Sequence, residues 1–382
     1  MLEINELHTD PDTKARAGLL QTDHGDILTP VFMPVGTAGA VKSLSPEDLK
    51  SSRAQIILGN TYHLYLRPGT EIIHQAGGLH KFIGWDRAML TDSGGYQVFS
   101  LNDLNKIEDD RVIFRSHLDG SQHILSPQIS MEIQRDLGAD ICMAFDECTP
   151  FPATENEVII SLERTHRWEA ASLNAFRASA DPYSHKQHLF GIVQGGIYPE
   201  LRRQSAEAIT ALDFDGFAIG GLSVGEPKSA MFEMTELVTD ILPAQQPRYL
   251  MGVGKPEDLV EAVSLGVDMF DCVLPTRNAR HGILFTWDGP LHVKAGRFKA
   301  DFTPVTESCT CYTCRNFSRA YLRHLFNVNE ILVLRLASLH NIHFYQELMS
   351  AMRQAILNNQ FASWKHDFML RYHQSKDQSE VA

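Results

Sequence analysis

A chain of 382 residues is long enough for one large domain or two ordinary ones and buries a sizeable core. Its 43% hydrophobic and 21% charged residues exclude a disordered or fibrous protein, and no apolar run reaches the length of a membrane span. Met1 to Asp12 carries four acidic residues and no basic one, which is no secretory signal, so the cytoplasm is the expected compartment. A formal net charge of −13, taken alone, argues against a nucleic-acid partner.

Short apolar runs closing on polar residues or glycine recur along the chain. The first three are Thr29–Gly36, Gln55–Asn60 and Met89–Gly95. Residues 97–125 interrupt the series, with Val112–Phe114 and Gln122–Leu125 around Asp119-Gly120 reading as a hairpin. Ser126-Pro127 then opens a helix through Leu137, with an N-cap residue and proline at the first position. Ile141–Glu147 is the fourth run. Thr154–Ala180 follows as an amphipathic helix whose Thr154 and Glu157 resemble a capping box. The remaining runs are Leu189–Gly196, Phe217–Leu222, Tyr249–Gly254 and Met269–Pro275, separated by helical stretches Pro199–Leu212, Lys228–Leu242 and Pro256–Leu265. Near-continuous apolar strands alternating with amphipathic helices imply a parallel sheet covered on both faces, and eight units favour a closed α/β (β/α)8 TIM barrel over an open sheet. The expected division is a barrel over 1–275 with its hairpin near 97–125, an insertion over 276–341, and a C-terminal helix closing the barrel with a tail over 342–382.

Chemistry in such a barrel sits at the carboxyl ends of the strands. Asp92 closes the third run, Asp146 and Glu147 the fourth, Gln194 the fifth, Gly220-Gly221 the sixth, Met251-Gly252 the seventh and Asp271 the eighth. One such aspartate alone reads as a structural carboxylate. Three at three strand ends suit a site with one carboxylate as nucleophile or base and another as acid. Gln194 offers a donor and an acceptor to a flat polar ligand, the glycines admit close backbone approach, and Tyr96 and Met251 suit the faces of a ring.

The six cysteines do not form a disulfide scaffold. Cys309, Cys311 and Cys314 bring three thiolates within reach of one tetrahedral ion, with His324, His340 and His343 as candidates for the fourth ligand. Three cysteines and a histidine leave no open position, so a zinc here is structural. The same segment is basic. From Arg277 to Arg323 there are eight Lys/Arg against three Asp/Glu, a patch that suffices to hold phosphates while the acidic remainder restricts docking elsewhere.

Across essentially its whole length the chain resembles bacterial tRNA-guanine transglycosylases. The motifs that carry the likeness are Asn60-Thr61-Tyr62-His63-Leu64, Leu90-Thr91-Asp92-Ser93-Gly94-Gly95-Tyr96-Gln97, Ala144-Phe145-Asp146-Glu147-Cys148 and Gly191-Ile192-Val193-Gln194-Gly195-Gly196. The set continues with Ile219 to Glu226, Tyr249 to Gly254, Phe270 to Arg277, and the three cysteines with a distant histidine.

The resemblance implies a homodimeric TIM-barrel enzyme with a zinc subdomain. It exchanges the wobble guanine of tRNAs with a G-U-N anticodon (Asp, Asn, His, Tyr) for 7-aminomethyl-7-deazaguanine, a step toward queuosine. It makes Asp271 the nucleophile on the ribose C1′ and Asp92 the general acid/base. It places Ser93, Tyr96, Asp146, Cys148, Gln194, Gly220, Gly221, Leu222, Glu226 and Met251 around the base. Val253, Gly254, Lys255, Glu257, Thr276, Arg277, Asn278 and Arg280 fall along the anticodon loop, and Cys309, Cys311, Cys314 and His340 on one zinc per subunit. Val224 and Cys148 fit the bacterial subtype, leaving little room for free queuine. A non-catalytic RNA-binding subunit would not need both Asp92 and Asp271, and a barrel metalloenzyme would not saturate its metal.

Overall fold

The computed structural model describes residues 2–100 and 105–379, so residues 101–104 of the expected hairpin region and 380–382 of the expected tail lie outside the described residues. Eight parallel strands close into a barrel in sequence order: β1 Val31–Gly36, β2 Ile56–Gly59, β3 Ala88–Thr91, β4 Ile141–Met143, β5 His188–Val193, β6 Gly216–Ile219, β7 Arg248–Leu250 and β8 Met269–Cys272. Closure is made by β8 against β1, where Met269 to Cys272 pair with Val31 to Pro34.

The period-two geometry of a strand divides each apolar run between two cores. Val31, Met33, Val35, Ile56, Leu58, Ala88, Leu90, Ile141, Met143, Phe190 and Ile192 fill the interior, while Phe32, Ile57, Met89, Cys142 and Leu189 pack outward in the layers that contain the helices. At the amino-terminal end the interior is continued by Leu2, Ile4, Leu20 and Ile27, from a three-stranded antiparallel sheet of Asn5–Thr9, Arg16–Thr22 and Gly25–Thr29 and the segment before it. That sheet was not read from the sequence.

The helices start where capping chemistry places them. Ser126 caps Pro127–Leu137 by accepting from the Ile129 N–H, and Thr154 with Glu157 forms the capping box of Glu155–Ala178. The hairpin forms as Val112–Arg115 against Gln122–Leu125, with Lys106–Ile107 as a third strand. One 26-residue helix, Leu332–Leu357, carries His340 at one end and clamps the barrel at the other. Its Gln346 Nε2 donates to the Phe32 carbonyl at 3.1 Å, and Arg353 donates to the carbonyls of Leu28, Thr29 and Pro30. The expected boundary between 341 and 342 thus falls within a continuous helix. Among the described residues no helix is long and apolar enough to cross a membrane.

Candidate active site

Two carboxylates at the barrel mouth sit in different surroundings. Asp92 follows β3. Its Oδ2 accepts from Asn60 Nδ2 at 2.5 Å, its Oδ1 accepts from the Thr61 N–H at 2.8 Å, and its carbonyl accepts from Thr61 Oγ1. Both partners lie just beyond β2, where Asn60 also caps the helix Thr61–Leu66. Burial pushes the Asp92 carboxyl up to about 7; the Thr61 N–H pulls it down, and the charge of Asp271 raises it further. Asp271, in β8, accepts at one oxygen, Oδ1, from Tyr249 Oη at 2.6 Å and from the Gly252 N–H at 2.8 Å. Burial raises its pKa also, opposed by these two bonds.

Beside them lies a polar edge. Asp146, 5% exposed, accepts from Gln194 Nε2 at 2.7 Å and from Ser93 Oγ at 3.2 Å. Burial pushes its carboxyl up to about 6 against the pull of those two bonds. Gly95 is required by close approach, since a Cβ there would stand 2.7 Å from the Asp146 carbonyl. A Cβ on Gly221, where φ is +65°, would stand 2.2 Å from Gln194 Oε1. The Gly220-Gly221 backbone therefore lies against the Gln194 amide.

Next along the chain, Leu222 is buried, and the N–H of the Leu222–Ser223 peptide donates to Glu226, whose other oxygen accepts from the Val224 N–H at 2.9 Å. Burial, then the charge of Asp146, pushes the Cys148 thiol up to about 12, so it is neutral. Met251 is half-buried against the barrel interior, and Tyr96, on the short helix Gly95–Ser100, is 54% exposed.

The residues expected along RNA divide by exposure. Lys255 and Arg277 are exposed, and Asn278 and Arg280 half-buried. Val253, Gly254, Glu257 and Thr276 are buried; the Gly254 carbonyl accepts from Tyr345 Oη, and Glu257 lies 3.7 Å from Lys228 Nζ.

Of the three candidate histidines, His340 joins the cysteines. Its Nδ1 lies 3.9 Å from Cys309 Sγ, 3.6 Å from Cys311 Sγ and 3.3 Å from Cys314 Sγ. The edges of a tetrahedral zinc site with sulfur and nitrogen ligands are about 3.5–3.8 Å, so the four atoms fit one ion. His340 Nε2 lies 2.8 Å from the Phe285 carbonyl, which fixes the proton on Nε2 and leaves the Nδ1 lone pair for a metal. His343 Nε2 lies 3.4 Å from Thr310 Oγ1, outside this set.

Several residues that support the site have no role legible in the sequence. Asn60, Thr61 and Tyr249 lay in quoted motifs without assigned contacts. Thr165, Glu169 and Ser172 line one face of the helix Glu155–Ala178 and accept from the N–H groups of Glu147, Ile192 and Phe145. Thr165 and Ser172 satisfy backbone on either side of Asp146 where β4 has left the ladder, and Glu169 does the same in β5, two residues before Gln194. Their signal was polar side chains at i, i+4 and i+7 on the buried helix face, where apolar ones are expected.

Comparison with known proteins places the chain. The sequence profile of the family described as Queuine tRNA-ribosyltransferase matches residues 10–374. The chain is 55% identical over 377 residues to the Queuine tRNA-ribosyltransferase of Caldanaerobacter subterraneus subsp. tengcongensis, covering 99% of each chain. It is 53% identical over 371 residues to the protein of that name from Halothermothrix orenii, covering 97% of this chain and 98% of the relative. With that of Bacillus pumilus it shares 54% identity over 360 residues, covering 94% and 93%.

Proposed function

The chain belongs to the queuine tRNA-ribosyltransferase family, the bacterial tRNA-guanine transglycosylases, and on that premise we propose how this pentosyltransferase of queuosine synthesis divides its chemistry among its residues. The substrates are the wobble guanine of tRNAs with a G-U-N anticodon (Asp, Asn, His, Tyr) and 7-aminomethyl-7-deazaguanine. The observation that carries the reading is the unequal pair at the barrel mouth: Asp271 held by two donors, and Asp92 raised to about 7 beside it.

Asp271 Oδ2, which carries neither of those bonds, attacks the ribose C1′ as the C1′–N9 bond breaks. The bond's electron pair leaves with guanine, and Asp92 supplies the proton that neutralises it. After exchange, the Asp92 carboxylate takes the N9 proton of the incoming base, N9 attacks C1′, and the Asp271–ribose bond breaks. Two displacements retain configuration and return both carboxyl groups to their starting states. Asp146, Gln194 and the Gly221 N–H read the guanine edge, with Ser93 and Gly220 supporting them. The Leu222 carbonyl, oriented by Glu226, takes the aminomethyl group, Cys148 bounds that end, and Tyr96 and Met251 cover the ring. The target base must leave its stack, which a single-stranded anticodon loop allows.

Arg277 and Arg280, with Lys255 and Asn278, hold the loop. Val253, Gly254, Glu257 and Thr276 shape the backbone beneath it. The four ligands Cys309, Cys311, Cys314 and His340 would hold one structural zinc per subunit, stabilising the segment 276–341 that we read as the insertion on the 1–275 barrel. A homodimer working on cytoplasmic tRNA completes the proposal.

The test is to mix enzyme with tRNA and a poor incoming base, denature, and look for a protein–RNA adduct. The wild type should yield it and Asp271→Asn should not. Adduct in Asp271→Asn would move the nucleophile elsewhere.

A further inference from the structure

Arg202 is fully buried, although it lies on the outer-layer helix Pro199–Thr210. Gly195 brings it there: at φ +134°, a Cβ on that residue would stand 2.8 Å from the Arg202 backbone nitrogen, so the helix end presses onto the end of β5. The guanidinium then spans two strand ends. Its Nε donates to the Gly196 carbonyl at 2.8 Å, and its Nη1 donates to the Val193 carbonyl at 2.9 Å and the Gly220 carbonyl at 2.8 Å. Val193 and Gly196 flank Gln194, while Gly220 precedes Gly221. Burial lowers the pKa of Arg202 only to about 10, so it remains a cation.

The Gly220–Gly221 peptide is trans, so its C=O and N–H point in opposite directions. A donor gripping the Gly220 carbonyl from the helix side therefore turns the Gly221 N–H the other way, toward the base pocket. We propose that Arg202 is a positioning residue for base recognition, aiming the Gly221 N–H and steadying Gln194 so that both donors meet the O6 acceptor of guanine. This rests on the reading of Gly221 and Gln194 given above. A planar five-donor fork suits three carbonyls in fixed directions, whereas a lysine ammonium keeps the charge and loses the fork.

The experiment compares guanine with 2-aminopurine, which keeps the ring system and the 2-amino group but lacks O6 and the N1–H, as inhibitors of labelled-guanine exchange. Wild type should favour guanine. Arg202→Lys should weaken guanine by about three- to tenfold, the worth of one amide–carbonyl hydrogen bond, and leave 2-aminopurine within about twofold. An equal loss on both bases, or no loss on guanine, overturns the positioning role. Wild type that does not distinguish the two bases removes the reading of the O6 edge, and the proposal with it. A measurement on wild type covers a variant that fails to fold. In protein labelled with 15N-arginine, the Arg202 guanidinium signals should shift on adding guanine and hold still with 2-aminopurine. Signals unmoved by guanine overturn the proposal.

Discussion

Asp92, just beyond β3, and Asp271, inside β8, are the same residue type near the carboxyl ends of two strands, and their neighbours separate them. Asp271 accepts from a tyrosine hydroxyl and a backbone N–H on one oxygen, which favours the anion, while burial and the charge of Asp271 together hold Asp92 protonated up to about pH 7. A reaction that needs Asp92 as acid and Asp271 as anion should have a bell-shaped pH profile, falling above about 7 as Asp92 loses its proton. Tyr249→Phe should move the acid limb to higher pH, because the lost bond was lowering the Asp271 pKa. The kcat/KM profile of that variant measures it; an acid limb that stays in place would mean that Asp271 does not set it. These tunings were not legible in the sequence. The aspartates stood out at strand ends, but the partners of Asp92 come from beyond β2 and those of Asp271 from β7 and the residues after it. No one-dimensional pattern joins them.

At the scale of elements, the alternation of apolar runs with capped helices was enough to read the barrel, because each unit obeys local rules of period and capping. What local rules missed was what happens where pairing stops. The fourth run was read to Glu147, yet β4 ends at Met143, and helix side chains take over the backbone N–H groups of Phe145 and Glu147. The amino-terminal sheet escaped because Asn5–Thr9 is mostly exposed and lacks alternation. That sheet is tied to the barrel through the turn at His24, whose Nδ1 lies 2.7 Å from Asp140 Oδ1, while the other Asp140 oxygen accepts from the Met89 N–H at 2.8 Å. The bond to Asp140 raises the His24 pKa, and the two histidines His24 and His80, acting against burial, hold Asp140 well below the usual carboxylate range. A raised histidine contributes stability that is complete below its unfolded value, about 6.5, and is lost as pH rises through the folded one. A lowered aspartate contributes above about 3.9 and loses it only as pH falls through the folded value. Between about pH 4 and 6.5 both contributions are therefore complete. His24→Gln should destabilise by about 1–2 kcal/mol in that window and by less as pH rises toward 9. Thermal unfolding of both proteins across pH reads the difference, and a difference independent of pH would assign His24 a packing role alone.

For the molecule as a whole, the cluster of three cysteines and His340 shares one rod with the barrel. The helix Leu332–Leu357 places His340 among the cysteines, and the next residue, Asn341, donates from Nδ2 to the Pro275 carbonyl at 2.9 Å and accepts from the Phe285 N–H at 3.0 Å. Pro275 lies four residues beyond Asp271 and opens the segment that carries Arg277 and Arg280. Farther along, Gln346 and Arg353 grip the first barrel strand and the residues before it. A structural zinc held there would contribute folding free energy directly, so its loss should propagate along this helix in both directions. Cys311→Ser, or prolonged chelation, should lower metal content and the unfolding temperature together. It should also impair tRNA exchange more than binding of free guanine, because Asp146 and Gln194 draw their support from the helices Glu155–Ala178 and Pro199–Thr210, remote in sequence from the cluster. Metal analysis, calorimetry and paired assays with tRNA and free base on the same preparation test the coupling. A variant that loses its metal yet unfolds at the wild-type temperature would show that the barrel holds the helix without help from the cluster. One that loses guanine binding as fully as tRNA exchange would show instead that the proposed base pocket depends on the metal as much as the segment proposed to hold RNA does.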